Sequence, residues 1–244
     1  MKKPTLLCIT ALLLAACTKN YPVANYDIIP QPKEVKLSEE KSFVLSQKTV
    51  VYYEDGLQRE AQFLSEYVDD ILGFAMDAQA YQGQTDGIVL QLVPDEFDQA
   101  EAYEINITPK QITVIGSDAS GVFYGIQTLK QMLPAAIYGA TKAKADWVLP
   151  YVSILDAPRF DYRGIHLDAC RHFWTLEETK RYIDIAAAYK VNRLHWHLTE
   201  DQGWRFEVKS LPRLAVEGSV REKTVIGPGN MRIYDNVPYG GYYT

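Results

Sequence analysis

The sequence predicts an α+β domain over residues 27–157, followed from residue 158 by a βαβ unit. Three observations predict it: short runs with period-two alternation, two stretches with apolar residues at helical spacing, and a change of pattern after Pro158. At the start, the two prolines of Ile28-Ile29-Pro30-Gln31-Pro32-Lys33-Glu34-Val35 fix φ and remove ladder donors, which makes this stretch an extended edge segment. Val50 to Tyr53 is a short strand. Asp55 is expected to cap a helix, with Gln58 three residues on, that carries Leu57, Ala61, Leu64, Val68 and Ile71 on one face and ends at Gly73. Ile88 to Val93 is a strand, and Tyr103-Ile105-Ile107 alternates with Ile112-Val114 around Thr108-Pro109-Lys110-Gln111 as a hairpin does. A second helix aligns Val122, Ile126, Leu129 and Leu133 and stops at Pro134, after which residues 136–146 form a polar loop. Three or four strands and two helices make the first domain.

Beyond Pro158, Tyr162 to Asp168 is strand-like and Thr175 with Glu178 forms a capping box for a helix running to about Lys190. Asn192 to Thr199 is a second strand. A helical crossover between them makes the two strands parallel. Residues 200–244 are rich in Gly, Pro and Tyr and read mainly as loop.

The N-terminus carries a signal for export. Lys2 and Lys3 precede an apolar run from Thr5 to Ala16 that is too short for a permanent bilayer span, so residues 1–16 read as a signal peptide. The run closes on Leu14-Ala15-Ala16-Cys17, which resembles a bacterial lipobox. Cys17 is then a lipid anchor followed by a tether over residues 17–26, the alternative being an ordinary signal with a chance cysteine. These features place the protein in the bacterial cell envelope, attached to membrane by lipid. Loss of Lys2 and Lys3 moves the formal charge from −6 to −8, with 23 Lys and Arg against 31 Asp and Glu. An acidic chain lacks the basic face that binding to phosphates needs, so no nucleic-acid partner is expected. Cys8 leaves with the signal, and only Cys170 remains for the folded part, so an internal disulfide is excluded. Cys170 reads as a buried free thiol, with a nucleophile or zinc ligand as the alternatives.

Three stretches resemble glycoside hydrolase family 20. They are Ile29-Pro30-Gln31-Pro32; the block from Glu101 to Leu133 centred on Ala119-Ser120-Gly121-Val122-Phe123-Tyr124-Gly125; and the run from Phe160 to Arg205. The last contains Tyr162-Arg163-Gly164-Ile165-His166-Leu167-Asp168, Arg171-His172-Phe173 and Leu194-His195-Trp196-His197-Leu198-Thr199-Glu200-Asp201-Gln202-Gly203-Trp204-Arg205. In that family a small α+β domain precedes a (β/α)8 barrel. The resemblance therefore implies an α+β N-terminal domain followed by the first strands of a (β/α)8 TIM barrel, incomplete here because a full barrel takes on the order of 250 residues.

The family hydrolyses terminal β-linked N-acetylglucosamine or N-acetylgalactosamine, using the substrate's own acetamido oxygen as nucleophile. The resemblance implies an oligosaccharide partner, no cofactor, and an Asp-Glu pair on a later strand, so that no catalytic residue lies in this chain and the chain alone is inactive. Arg163 matches the arginine that grips the hydroxyls of the terminal sugar, a task suited to a planar fork of five donors. The alternative is a charge paired with a barrel carboxylate. Asp168 and Asp201 fall at the C-terminal ends of the two strands, where barrel chemistry lies, and either contact the sugar or orient Arg163, Arg171 or His172.

Two patterns invite other readings. Glu200-Asp201 looks like a glycosidase acid pair, but it belongs to the Thr-Glu-Asp-Gln-Gly-Trp turn, and the family usually has aspartate where this chain has Glu200. His195-x-His197 puts two imidazoles on one strand face, a spacing that also serves metal hydrolases. Hydrogen-bonded barrel histidines are the preferred reading, and no metal is implied. A binding protein that holds glycans without cutting them is the alternative function.

Overall fold

The structure, a computed structural model, describes residues 26–139, 141–228, 230 and 232–244. The signal peptide, Cys17 and the tether up to residue 25 lie outside the described residues. The N-terminal domain is a seven-stranded mixed sheet with two helices. In chain order its elements are β1 (Glu34–Val44), β2 (Val51–Tyr53), α1 (Gln58–Leu72), β3 (Ala78–Ala80), β4 (Gly87–Leu92), β5 (Tyr103–Ile107), β6 (Gln111–Gly116), α2 (Ala119–Met132) and β7 (Val148–Asp156). The strands lie in the order β1-β7-β5-β6-β4-β2-β3. β1, β7, β5 and β6 pair antiparallel, whereas β6, β4, β2 and β3 pair parallel.

Most of the expected elements are present, and the differences have local causes. The prolines lead into β1, which does form one edge of the sheet. The chain then adds strands that period-two reading did not single out, above all β7. Pro150 interrupts its alternation, and that proline lies opposite Ser42, at the register shift of β1 between Leu37 and Ser42. A residue without a ladder donor is tolerated at such an irregularity. Asp55 does not cap α1. The helix begins after Leu57 with no side-chain cap, and Gln58 instead accepts from Gly56 N (3.1 Å) and donates to Asp55 Oδ1 (3.0 Å). Gly73 ends it in the left-handed region, at φ 82°.

The core lies between this sheet and α1 and α2, where Val51, Leu57, Ala61, Val68, Leu90, Ile105, Ile112, Val114, Val122 and Ile126 are buried. The Ala119–Gly125 motif has a packing reason. Two glycines one turn apart let α2 approach the sheet, since a Cβ on Gly121 would collide with the Ala102 carbonyl and one on Gly125 would come within 2.5 Å of Val114 Cγ1. Asp118 caps α2 by accepting from Gly121 N at 2.8 Å.

Past Pro158 the chain forms β8 (Gly164–Asp168), α3 (Leu176–Ala188) and β9 (Arg193–His197), with β8 and β9 parallel as expected. The capping box is formed on both sides: Glu178 N donates to Thr175 Oγ1 and Thr175 N donates to Glu178 Oε2. The following residues are not pure loop. Thr199–Glu200 pairs with Gly203–Trp204, Val220–Arg221 with Tyr239–Gly240, and Pro212–Val216 is a short helix.

Lys130 on α2 is buried against α1, with Nζ 3.5 Å from the Tyr67 ring centroid and 5.1 Å from that of Phe63. Burial lowers its pKa from 10.5 to about 8, against an opposing pull from Asp184. The unfolded chain therefore holds the proton more tightly, so this group's contribution to stability grows as pH rises from about 8 to 10.5. Lys130→Met is expected to raise the urea midpoint at pH 7 and to flatten its rise with pH over that interval relative to the parent; identical slopes would show that Lys130 is not buried as a cation.

Candidate functional site

Parallel pairing decides which side chains of β8 and β9 can meet. Gly164, Ile165, His166, Leu167 and Asp168 lie opposite Arg193, Leu194, His195, Trp196 and His197, so His166, Asp168, His195 and His197 share one face. The imidazoles of His166 and His195 stack with centroids 4.5 Å apart, and His197 lies 5.7 Å from His166. On the opposite face Leu167 is buried, and Trp196 packs on Tyr243 with ring centroids 4.6 Å apart.

A charged group gathers at the C-terminal ends of these strands. Asp168 Oδ1 accepts from the backbone N–H of Cys170 (2.9 Å) and of Arg171 (3.1 Å), which turns the chain at the end of β8 and carries the Arg171 side chain back over it. Arg171 Nη1 then donates to Asp168 Oδ2 (2.9 Å) and to His197 Nδ1 (3.1 Å), and its Nη2 lies 3.5 Å from Glu200 Oε2. An arginine can only donate. His197 Nδ1 therefore accepts, which leaves the proton on Nε2, where it donates to Thr199 O at 3.1 Å. Partial burial pushes the Asp168 carboxyl up, but the two backbone N–H groups and the Arg171 charge outweigh it and hold the carboxyl below its usual value. Asp168 is an anion fixed by its turn, and Arg171 is a cation fixed by Asp168.

Behind this group, Arg205 is wholly buried. Its Nε donates to Ala169 O (2.9 Å), Nη2 to Cys170 O (2.8 Å), and Nη1 to Ser219 O (2.6 Å) and Gly241 O (3.1 Å). Four carbonyls from three distant segments thus share one guanidinium. The turn that presents Arg171 is tied by it to the C-terminal residues, where Tyr239 OH donates to Phe173 O and Tyr243 OH to Trp174 O.

Comparison with known proteins identifies the frame that holds this group. The pattern described as glycosyl hydrolase family 20, domain 2, matches residues 25–157, and that described as glycosyl hydrolase family 20, catalytic domain, matches residues 160–244. The chain belongs to glycosyl hydrolase family 20. A beta-hexosaminidase of Porphyromonas gingivalis is 34% identical over 97% of the chain, and the N,N'-diacetylchitobiase of Vibrio harveyi is 38% identical over 55% of it. The chain spans 30% and 15% of the lengths of these two relatives. The structure of the Streptomyces plicatus N-acetyl-beta-hexosaminidase in complex with Thio-NAglucal superposes with a TM-score of 0.75 at 32% identity, covering 92% of this chain and 43% of that one. β8, α3 and β9 are accordingly the start of a TIM barrel behind an N-terminal α+β domain.

Within this family-20 frame the residues singled out from sequence fall at different places. Asp168 sits in the charged group just described. Asp201 is exposed in the turn between Thr199–Glu200 and Gly203–Trp204. Arg163 precedes β8, at the opposite end from Asp168, and its side chain is 15% exposed against 48% for Arg171. There Nη1 pairs with Glu101 Oε2 (2.8 Å) and Nε donates to Lys190 O (2.7 Å). The structure does not bring Arg163, Asp168 and Asp201 together. Sequence reading had Arg171 only as a partner and assigned Arg205 nothing; the three-residue spacing from Asp168 to Arg171 was the available signal for the first.

Cys170 is buried, as its apolar surroundings suggested, and its thiol lies 3.2 Å from His197 O. Burial, then the Asp168 charge, push the thiol pKa up, which disfavours a thiolate. Among the described residues, Asp168, Cys170 and His197 are the group whose ligand atoms come within 4.8 Å of one another, and His195 is not part of it. Arg171 Nη1 already occupies the His197 Nδ1 lone pair. The cation of this cluster is the arginine.

Arg205→Met is expected to lower stability by roughly 3 kcal/mol or more, since each buried carbonyl left without a donor costs about 1–3 kcal/mol, with faster hydrogen exchange at the amides of Cys170 to Phe173. Arg205→Lys should not restore it, because one ammonium cannot span four carbonyls. A lysine variant as stable as the parent in urea would contradict this role.

Proposed function

We propose that this family-20 chain supplies the accessory domain and opening barrel strands of an exo-acting β-N-acetylhexosaminidase. The enzyme would release terminal non-reducing β-linked N-acetylglucosamine or N-acetylgalactosamine from an oligosaccharide by substrate-assisted, retaining hydrolysis. The substrate's acetamido oxygen attacks the anomeric carbon, a glutamic acid protonates the leaving oxygen and an aspartate orients the acetamido group. Both acids belong to barrel strands other than the two described. The relatives' names, beta-hexosaminidase and N,N'-diacetylchitobiase, and a related Vibrio harveyi enzyme solved with N-acetylglucosamine support the substrate class. Export and a lipid on Cys17 belong to the same reading, supported by the pattern of residues 1–17.

The observation that carries the reading is the Arg171 guanidinium. It stands half exposed at the C-terminal ends of the strands, where barrel sites lie, and its orientation is set by Asp168 and His197. A planar fork held in this way suits two adjacent sugar hydroxyls. We therefore assign sugar binding to Arg171, with Asp168 and Glu200 orienting it, and a bracing role to Arg163. In a chain continued through the remaining barrel strands, Arg171→Met should lower kcat/KM for an aryl β-N-acetylglucosaminide about 10- to 150-fold, the loss of a charged hydrogen bond. Arg163→Met should instead act mainly on stability. Unchanged kcat/KM in the first variant would remove Arg171 from the sugar site.

A further inference from the structure

Four non-glycine residues among those described have left-handed backbone: Glu101, Lys190, Arg232 and Asn236. Two of them, Glu101 at φ 60° and Lys190 at φ 61°, line one cavity at the seam between the N-terminal domain and the barrel start. Lys190 closes α3. Its N–H donates to Ala187 O and that of Val191 to Ala186 O, the paired bonds of a helix end whose left-handed position is usually glycine. Residues held in a disfavoured backbone persist where their surroundings over-determine them.

Those surroundings are charges sorted by side. The accessory domain contributes the carboxylates Glu101 and Asp156, and the barrel side contributes the cations Arg163 and Lys190. Glu101 takes Arg163 Nη1 at 2.8 Å and Asn192 Nδ2 at 3.3 Å, which ties together the N-terminal ends of β8 and β9. Asn192 adds a bond across those ends, accepting from Arg163 N at 3.0 Å. Lys190 Nζ runs the other way, to Asp156 Oδ2 (3.1 Å) and Tyr103 OH (2.7 Å), with both charged side chains at most 10% exposed. Tyr103 OH completes the group with Asp156 Oδ2 and Thr128 Oγ1, each at 2.7 Å, while Asp156 Oδ1 takes Lys33 N and Ala157 N. A cavity of about 310 Å³ runs along the same seam, lined in part by Glu101, Tyr124, Phe160 and Arg163, so continuous apolar packing does not join the two parts there.

We propose that the accessory domain sets the height and register of the first two barrel strands through this two-point clasp. Glu101 and Asp156 are its positioning residues, acting through Arg163 and Lys190 on strands whose far ends carry Asp168, Arg171 and His197. Gln131 Nε2 on α2 also donates to Ala188 O at the end of α3 (2.9 Å), and the clasp does not depend on what the far ends bind.

Lys190→Gly separates the clasp from the helix end. Glycine suits the left-handed position better than lysine, so if Lys190 only ends α3, the melting midpoint of the 244-residue chain rises or stays level. If the clasp holds, the midpoint falls by about 5 °C or more, and amides of Leu194 to His197 exchange at least about tenfold faster while those of Ile88 to Leu90 keep their protection. Glu101→Gln, a milder change on the half-buried pair, should quicken exchange at Asn192 and Arg193 with a smaller fall. A cycle of Asp156→Asn and Lys190→Met should be non-additive. Should Lys190→Gly not yield folded protein, Glu101→Gln and the cycle decide. A raised or level midpoint in Lys190→Gly, unaltered exchange in β9 with Glu101→Gln, or strict additivity in the cycle would each overturn the proposal.

Discussion

The charged group at the strand ends depends on a guanidinium that no ligand can reach. Arg205 is buried and meets backbone carbonyls of Ala169, Cys170, Ser219 and Gly241. Five donors in a fixed plane can satisfy four acceptors from separate segments at once, whereas an ammonium has three donors and an apolar side chain none. The turn after β8 is thereby held against the last residues of the chain. Without that restraint Asp168 could still accept from the turn's own N–H groups and Ala169 N–H could still donate to His197 O of β9 (3.0 Å), but the turn would lose its ties to Ser219 and Gly241.

The barrel start has two ends with different tasks, and two arginines divide them. Arg163, before β8, is enclosed by Glu101, the Lys190 carbonyl and the Tyr124 ring, its guanidinium carbon 5.1 Å from that ring's centroid. Arg171, after β8, is half exposed and steered by Asp168 and His197. One arginine joins the domains through Glu101 and braces the barrel side at the Lys190 carbonyl, the other keeps part of its fork toward solvent. Between them runs a five-residue strand whose outward face is covered and whose histidine face is open.

Local signals were legible in the sequence and non-local ones were not. The Thr175–Glu178 capping box, Gly73 after α1 and the parallel pair flanking α3 each follow from a few neighbouring residues, and each formed as read. β7 was obscured by Pro150, which lies opposite Ser42 at the register shift of β1. Asp55 sat at a plausible cap position, but Gln58 engaged it from within the helix. Arg163 and Arg171 look alike in a string; that one precedes β8 and the other follows it is set by the strand bounds Gly164–Asp168. Arg205 draws on carbonyls up to 36 residues away, so no window of sequence announces it.

We propose that this chain carries the accessory domain and a sugar-orienting arginine of a hexosaminidase, while the acids that cleave the bond lie on other barrel strands. The direct measurement is to assay the purified 244-residue chain and a version continued through the remaining barrel strands, side by side, on an aryl β-N-acetylglucosaminide. No turnover by the chain and turnover by the longer protein are expected. Turnover by the chain itself, or a folded longer protein that leaves the substrate intact, would contradict the proposal.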